Sequence, residues 1–243
     1  MSLSLRDLWY GYWSLMRHYH RFEVRHRERL EQAGPALIVG YHGRPMAHDL
    51  CMLQSLLREQ GQAMPLPIIH GALARLPLFA QLVQAGEFLL GDDAALAAAV
   101  AAGRQIIVTP GGTREGYRSF RDRYRVEWGE RLGYLRLALK YRLPIIPTAA
   151  AGVDDAYIGL NDGYAWGKRL RLPGRLPLWL GLGPLGLFPL SPPYPVRITL
   201  HIGEPLQFAE DGPASPASDR LLAMHRQVAS AVQALLDEAR RPI

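Results

Sequence analysis

Three short runs of branched apolar residues, Leu37-Ile38-Val39, Ile106-Ile107-Val108 and Ile145-Ile146, restrict the fold more than any other feature of the chain. None alternates apolar with polar residues, as a strand with one wet face would. A short continuous run of this kind, flanked by turn residues, reads as a strand covered on both faces. The pattern predicts strands at Ala36–Tyr41, Leu66–His70, Ile106–Val108, Pro144–Ala151 and Val196–Ile202, the last with alternating character. Helices are predicted over Asp49–Gln60, Leu78–Ala85, Asp92–Ala102, Glu130–Arg142 and Asp219–Arg240. In the alanine-rich helix, Asp92 and Asp93 suit the positive end and Gly103 suits the stop. Strands alternating with helices imply an α/β fold: a central, mostly parallel sheet covered by helices on both faces. Ligands in such sheets bind beyond the carboxyl ends of the strands.

Ahead of this pattern lies an amphipathic segment. Leu5, Leu8, Tyr12, Leu15, Tyr19 and Phe22 recur at three- and four-residue steps and draw one helix face, which Trp9, Trp13 and Met16 widen. Ser4 and Asp7 have the spacing of a capping box. The opposite face carries Arg17, His18, Arg21, Arg25 and Glu28, and Gly34-Pro35 stops the segment. Two readings stand: a helix lying in the headgroup layer of a bilayer, or a helix packed on the core. The chain divides on this basis into an N-terminal amphipathic segment, 1–34, and a single larger domain, 35–243.

At 243 residues and 49% hydrophobic, the chain can bury a core without disulfides or metals, and Cys51 is its one cysteine. The net charge is +6, and only Lys140 and Lys168 are lysines, so the positive charge is nearly all arginine. Arginine pairs with phosphate in a planar, two-pronged way. Anionic lipid and phosphorylated small molecules are therefore candidate partners. Nucleic acid is not expected, because no helix-turn-helix, zinc-finger or RNA-sheet signature is present. No apolar stretch reaches the roughly 20 residues of a membrane span, and the N-terminus lacks signal-peptide features. The expected location is cytoplasmic, peripheral to the inner face of a membrane.

One stretch departs from the alternating pattern. Between Pro173 and Pro195, closely spaced prolines exclude a continuous helix, and leucines crowd between them. Such a segment either folds across the core or meets acyl chains or a bilayer.

Two strand ends carry chemistry. After the first buried run comes Gly40-Tyr41-His42-Gly43-Arg44-Pro45-Met46-Ala47-His48-Asp49. A neutral imidazole can act as a base near neutral pH, and a nearby carboxylate can orient it and stabilise the imidazolium. His42 and Asp49 are the candidate pair, with His48 a bystander. After the second run comes Thr109-Pro110-Gly111-Gly112-Thr113-Arg114-Glu115-Gly116. Its glycines permit close backbone approach, so that amides near Thr113 and the Arg114 guanidinium can hold an oxyanion or phosphate. Arg118, Arg121, Arg123 and Arg125 follow, interleaved with Tyr117, Phe120 and Tyr124. Gly111, Gly112, Thr113, Arg114, Glu115 and Arg118 are thus the candidate substrate contacts. No familiar metal-ligand spacing occurs among the histidines, no Walker lysine follows the glycines, and no G-x-S-x-G elbow is present.

Taken in order, these stretches resemble the glycerolipid (lysophospholipid) acyltransferase family. His42 and Asp49, with six residues between them, resemble the branch that reads H-S-G-x-x-P-x-D. Leu76-Pro77-Leu78-Phe79 through Gly86 resembles the second block, and Leu143-Pro144-Ile145-Ile146-Pro147 the fourth. The third block usually reads F-P-E-G-T-R. Here Gly111 stands in place of the glutamate, a variant similar to the P-G-G-x-x-E of the diacylglycerol acyltransferase branch. The resemblance implies an O-acyltransferase that moves a fatty acyl group from acyl-CoA or acyl carrier protein to a lipid hydroxyl. It implies His42 as base, no acyl-enzyme, no cofactor and no metal. The altered third block favours a neutral acceptor, while Arg114 and the following arginines suit a phosphorylated one. The rival reading is a non-catalytic lipid- or membrane-binding protein on the same scaffold.

Overall fold

The computed structural model describes residues 4–69, 77–171, 177–208 and 218–241. Helix α1, Leu5–Tyr19, is followed by strand β1, Glu23–Arg25, short helix α2, Glu28–Gln32, and β2, Leu37–Gly40. Then come α3, His48–Glu59; β3, Leu66–Pro67; α4, Pro77–Ala85; α5, Asp93–Ala101; and β4, Ile106–Val108. The short helix α6, Gly112–Gly116, precedes α7, Gly133–Lys140, and β5, Ile145–Ala151. The chain continues through β6, Ile158–Gly159; α8, Tyr164–Arg169; β7, Gly181–Gly183; and β8, Gly186–Leu187. It closes with β9, Thr199–Ile202, and α9, Ser218–Ala239.

Six strands form the main sheet in the order β1-β9-β5-β2-β4-β3. β5, β2, β4 and β3 run parallel to one another, while β9 is antiparallel to β5 and parallel to β1. Helices flank it, as the buried apolar runs require: every residue of β2 is buried, and α9 lies along β5 and β9. The fold is the α/β sheet expected from the sequence.

The N-terminal segment differs from the expectation of one long helix. α1 begins at the Ser4–Asp7 capping box but stops at Tyr19. His20 is buried with its Nδ1 2.9 Å from the Val196 carbonyl, and Glu23–Arg25 then pairs with β9. Edge-strand pairing outcompetes continued helix there. The predicted stripe of α1 is also not the buried one. Trp9, Tyr10, Trp13 and Met16 are buried, whereas Leu5, Leu8, Tyr12 and Leu15 are exposed. The larger aromatic face is the one packed against α3 and α4.

Elsewhere the bounds of the predicted elements fall within three residues of those observed, and Ile106–Val108 matches at both ends. Beyond these, the structure adds the short helices α6 and α8 and a second, three-stranded antiparallel sheet, β6-β7-β8, built largely from the proline- and leucine-rich stretch. His70, Leu76 and Pro173, each part of a predicted strand, block or stretch, lie outside the described residues.

Candidate active site

The sheet itself brings the two singled-out stretches together. β2 and β4 are parallel neighbours, with Val39 opposite Val108. The chain therefore leaves both strands at the same edge, and Gly40–His42 emerges beside Thr109–Gly111. At that edge lies a cavity of about 210 Å³. Trp9 of α1, Leu50 of α3, Leu82 of α4, Phe88 and Phe188 contribute to its apolar wall, and His42, Thr109 and Thr113 bring polar atoms to it.

His42 is held from three sides. Its amide donates to Glu115 Oε2 at 3.1 Å. Its Nδ1 lies 3.0 Å from the Gly43 carbonyl. A carbonyl can only accept, so Nδ1 carries the proton and Nε2 is left with its lone pair. Its ring rests on Gly116, where an added Cβ would come within 2.6 Å of Cε1. Burial lowers the imidazole to about 4, so the ring is neutral at physiological pH, the form a base requires.

Glu115 is buried behind His42. Besides the His42 amide, it accepts from Glu127 N at 3.0 Å and pairs with Arg118 at 3.5 Å. Burial raises its carboxyl, opposed by the Arg118 charge. Gly111 is required at its position because a side chain would collide with the Glu115 carboxylate. Arg118 is only 4% exposed. Its guanidinium donates to the carbonyl of Glu115 at 2.8 Å and to that of Arg125, and lies 4.5 Å from the Tyr41 ring centroid. Of the candidate substrate contacts, Glu115 and Arg118 thus face the interior and hold the loops. Thr113 lines the cavity, with its hydroxyl accepting from Tyr164 Oη at 2.9 Å. Gly112, at φ +51°, occupies a left-handed conformation open to glycine. Arg114 is exposed on α6.

Asp49 sits in the first turn of α3, 1% exposed. No side chain donates to either carboxylate oxygen, and the amides of Asp49 and Leu50 at the helix start oppose burial only in part. Among the described residues no hydrogen bond joins it to His42. Burial raises its carboxyl to about 7. His48 Nδ1 and His20 Nε2 are likewise buried and unpartnered, with the two rings 6.4 Å apart, and burial lowers His48 to about 3.

A second acid went unnoticed in the sequence. Asp154 follows β5 and is completely buried. It accepts from the Tyr41 hydroxyl, from Tyr124 N at 2.9 Å and from Arg44 N at 3.3 Å. The Arg44 guanidinium, also completely buried, lies 3.6 Å from its carboxylate and donates to the Arg118 carbonyl at 3.3 Å. The same signal that marked His42, a polar residue just past an apolar strand, also marks Asp154. Trp9 and Phe188 gave no such signal, because the walls of a cavity come from distant segments.

The acyltransferase family model matches residues 21–151. The chain is 24% identical over 241 residues to a human protein named as a DGAT1/2-independent enzyme synthesizing storage lipids, covering 98% of this chain and 67% of that protein. It is 27% identical over 194 residues to an uncharacterized protein of Mycobacterium tuberculosis strain H37Rv, covering 78% of this chain and 53% of that one. The chain thus spans about half to two thirds of the length of these relatives. Among solved structures, the 1-acyl-sn-glycerophosphate (LPA) acyltransferase PlsC from Thermotoga maritima superposes with a TM-score of 0.57 at 15% identity, covering 98% of this chain and 81% of that one. That likeness shows a shared fold. The family match takes in both β2 and β4 with the loops that follow them, and spans more than half of the sequence: this chain belongs to the acyltransferase family.

Proposed function

We propose that the chain transfers a fatty acyl group from a thioester donor, acyl-CoA or acyl carrier protein, to the hydroxyl of a lipid, with His42 as general base. One observation carries this reading: a neutral imidazole with an unprotonated Nε2 on the wall of a mostly apolar cavity. Nε2 takes the hydroxyl proton, and the oxygen attacks the thioester carbonyl. The tetrahedral intermediate collapses with cleavage of the C–S bond, and the imidazolium returns its proton to the departing thiolate. No acyl-enzyme is needed. Cys51 lines the cavity, but burial raises its thiol well above the ordinary range, which suits an inert side chain. A backbone amide of the Gly111–Arg114 turn suits the oxyanion.

The acceptor is a neutral glycerolipid, a mono- or diacylglycerol. Two points support it: the relatives named for storage-lipid synthesis, and the turning inward of Arg118 onto protein partners. Exposed Arg114 and Arg121 suit the phosphates of the donor. The exposed stripe of α1 suits a peripheral seat on a membrane. Among the described residues, no helix is long and apolar enough to cross one.

Thiol release from acyl-CoA, measured across a panel of lysophospholipid, monoacylglycerol, diacylglycerol and alcohol acceptors, tests the reading. General-base catalysis is worth about 10²–10⁴-fold, so His42→Ala should lower turnover by that range with unfolding unchanged. Near-normal turnover in that variant would refute His42 as base. Release above the His42→Ala background only with phosphorylated acceptors would refute the neutral-acceptor assignment.

A further inference from the structure

The sheet β6-β7-β8 is inside out. Ile158 pairs with Leu182 and Gly159 with Gly181, while Leu182 pairs with Leu187 and Gly183 with Gly186. Leu160 N donates to the Leu180 carbonyl at 2.8 Å and extends the ladder. Side chains alternate across a strand, so Ile158, Leu160, Leu180, Leu182 and Leu187 share one face and the glycines share the other. The glycine face is the inner one. A Cβ on Gly159 would meet the Arg118 carbonyl oxygen at 2.7 Å and Trp179 Nε1 at 3.0 Å, and Gly181 lies against the Trp179 ring. The leucine face is the outer one, with Leu160 56% and Leu187 46% exposed.

The turns of this sheet push two more leucines outward, Leu185 at 81% and Leu190 at 94% exposure. They are fixed in place. The Leu185 amide donates to Ser191 Oγ at 3.0 Å, and the carbonyl of buried Ser191 accepts from the Tyr157 hydroxyl at 2.8 Å. Helix α8 is tied to the same sheet, with Leu178 N donating to the Gly163 carbonyl at 2.9 Å. It adds exposed Trp166 and Leu170, together with exposed Lys168, Arg169 and Arg171. Asp162, just ahead of α8, accepts from Tyr164 N at 3.1 Å in a local turn.

We propose that the outer face of β6-β7-β8, with Leu185 and Leu190 at its tip, inserts into the headgroup–acyl boundary of an anionic bilayer as a docking element distinct from α1. Exposed Leu160, Leu180, Leu185, Leu187 and Leu190 gathered on one sheet and its turns mark an interaction surface. Its basic, tryptophan-bearing border complements anionic headgroups. Phe188, between the two protruding turns, packs 5.5 Å from Tyr157 and lines the cavity, so the seated face stands directly beside the site a lipid must reach. The purpose of the seat, though not its existence, rests on the lipid-acyltransferase reading.

Co-sedimentation of the full chain with vesicles of equimolar phosphatidylcholine and phosphatidylglycerol tests this. Leu185→Gln and Leu190→Gln should each lower the partition coefficient about tenfold, with thermal unfolding unchanged because both side chains are exposed. Binding should weaken with added salt and on vesicles of phosphatidylcholine alone. Unchanged partitioning of the double variant overturns the proposal. So does a loss of self-association in that variant, by sedimentation velocity, without loss of vesicle binding, because a second copy would then cover the face. Partitioning is read without turnover, so a failed thiol-release assay leaves the result intact. If both readings hold, the double variant loses activity on vesicle-embedded acceptor and keeps it on detergent-dispersed acceptor.

Discussion

Two buried acids, Asp154 and Asp49, stand on either side of the loop that carries His42, and they are treated in opposite ways. Asp154 is surrounded by donors: a tyrosine hydroxyl, two backbone amides and an arginine. Asp49 is as deeply buried, yet no side chain donates to it, only the helix-start amides oppose burial, and its carboxyl is pushed up to about 7. A buried charge persists only where its surroundings replace water. Asp154, its oxygens met by these donors, ties the His42 loop to Tyr124 and, through Arg44, to Arg118. Asp49 is a group whose charge is held back. The lesson is that full satisfaction marks a strut, and burial without a side-chain donor marks a carboxyl whose charge the fold opposes.

The largest effect that tests this contrast is on the strut. Arg44→Met removes one member of a buried pair and leaves Asp154 short of compensation, which should lower stability by about 3–5 kcal/mol in denaturant titration. A loss under 1 kcal/mol would mean the pair is dispensable.

Asp49→Asn should do the reverse. The folded pKa is raised, from 3.8 to about 7. Stability from this group is thus fully present below 3.8 and falls away as pH rises through 7. At about 1.4 kcal/mol per unit, less relaxation around the charge, the variant should gain on the order of 2–4 kcal/mol over the wild type at pH 8 and nothing near pH 4. Equal gains at both pH values would show that Asp49 ionises freely.

The same sign governs activity. If the anion of Asp49 is the form that steadies the imidazolium, kcat/KM rises with one inflection near pH 7. In Asp49→Asn, turnover drops and the inflection disappears; an inflection that survives belongs to another group. The smallest effect is geometric. Gly116→Ala should displace the His42 ring and lower kcat about tenfold, roughly 1.4 kcal/mol in the barrier, with the unfolding midpoint little changed. Unaltered kcat would mean the ring has room to move.

The sequence carried the sheet well because its signal is local. Ile106-Ile107-Val108 is a buried strand by its own composition, and the loop that follows it lines the cavity. His42 and Thr113 were legible for that reason. Asp154 carries the same strand-end signal, but its pairing with Arg44 was not legible, since it joins residues 110 positions apart. The stripe on α1 misled for a related reason: Leu8 and Leu15 repeat as core residues do, yet the Trp9–Trp13 face packs inward. Periodicity reports that a helix has a greasy side, and partners decide which side is covered. Arg118 looked like an anion-binding residue because charge is visible in sequence while the carbonyls that engage it are not.

The proton on His42 Nδ1 points at a main-chain oxygen, that of Gly43. That oxygen belongs to the backbone, though a Cβ at Gly43 would meet Val153 at 2.2 Å, so glycine holds the position. Exchanges that leave Gly43 and Gly116 in place leave this restraint in force, so the imidazole keeps its tautomer through substitutions that would disturb a histidine steered by a carboxylate. What can disturb it is a change in the path of the chain, through an insertion, a deletion or a twist between β2 and α3. Length at this loop should therefore matter more to catalysis than chemical variety.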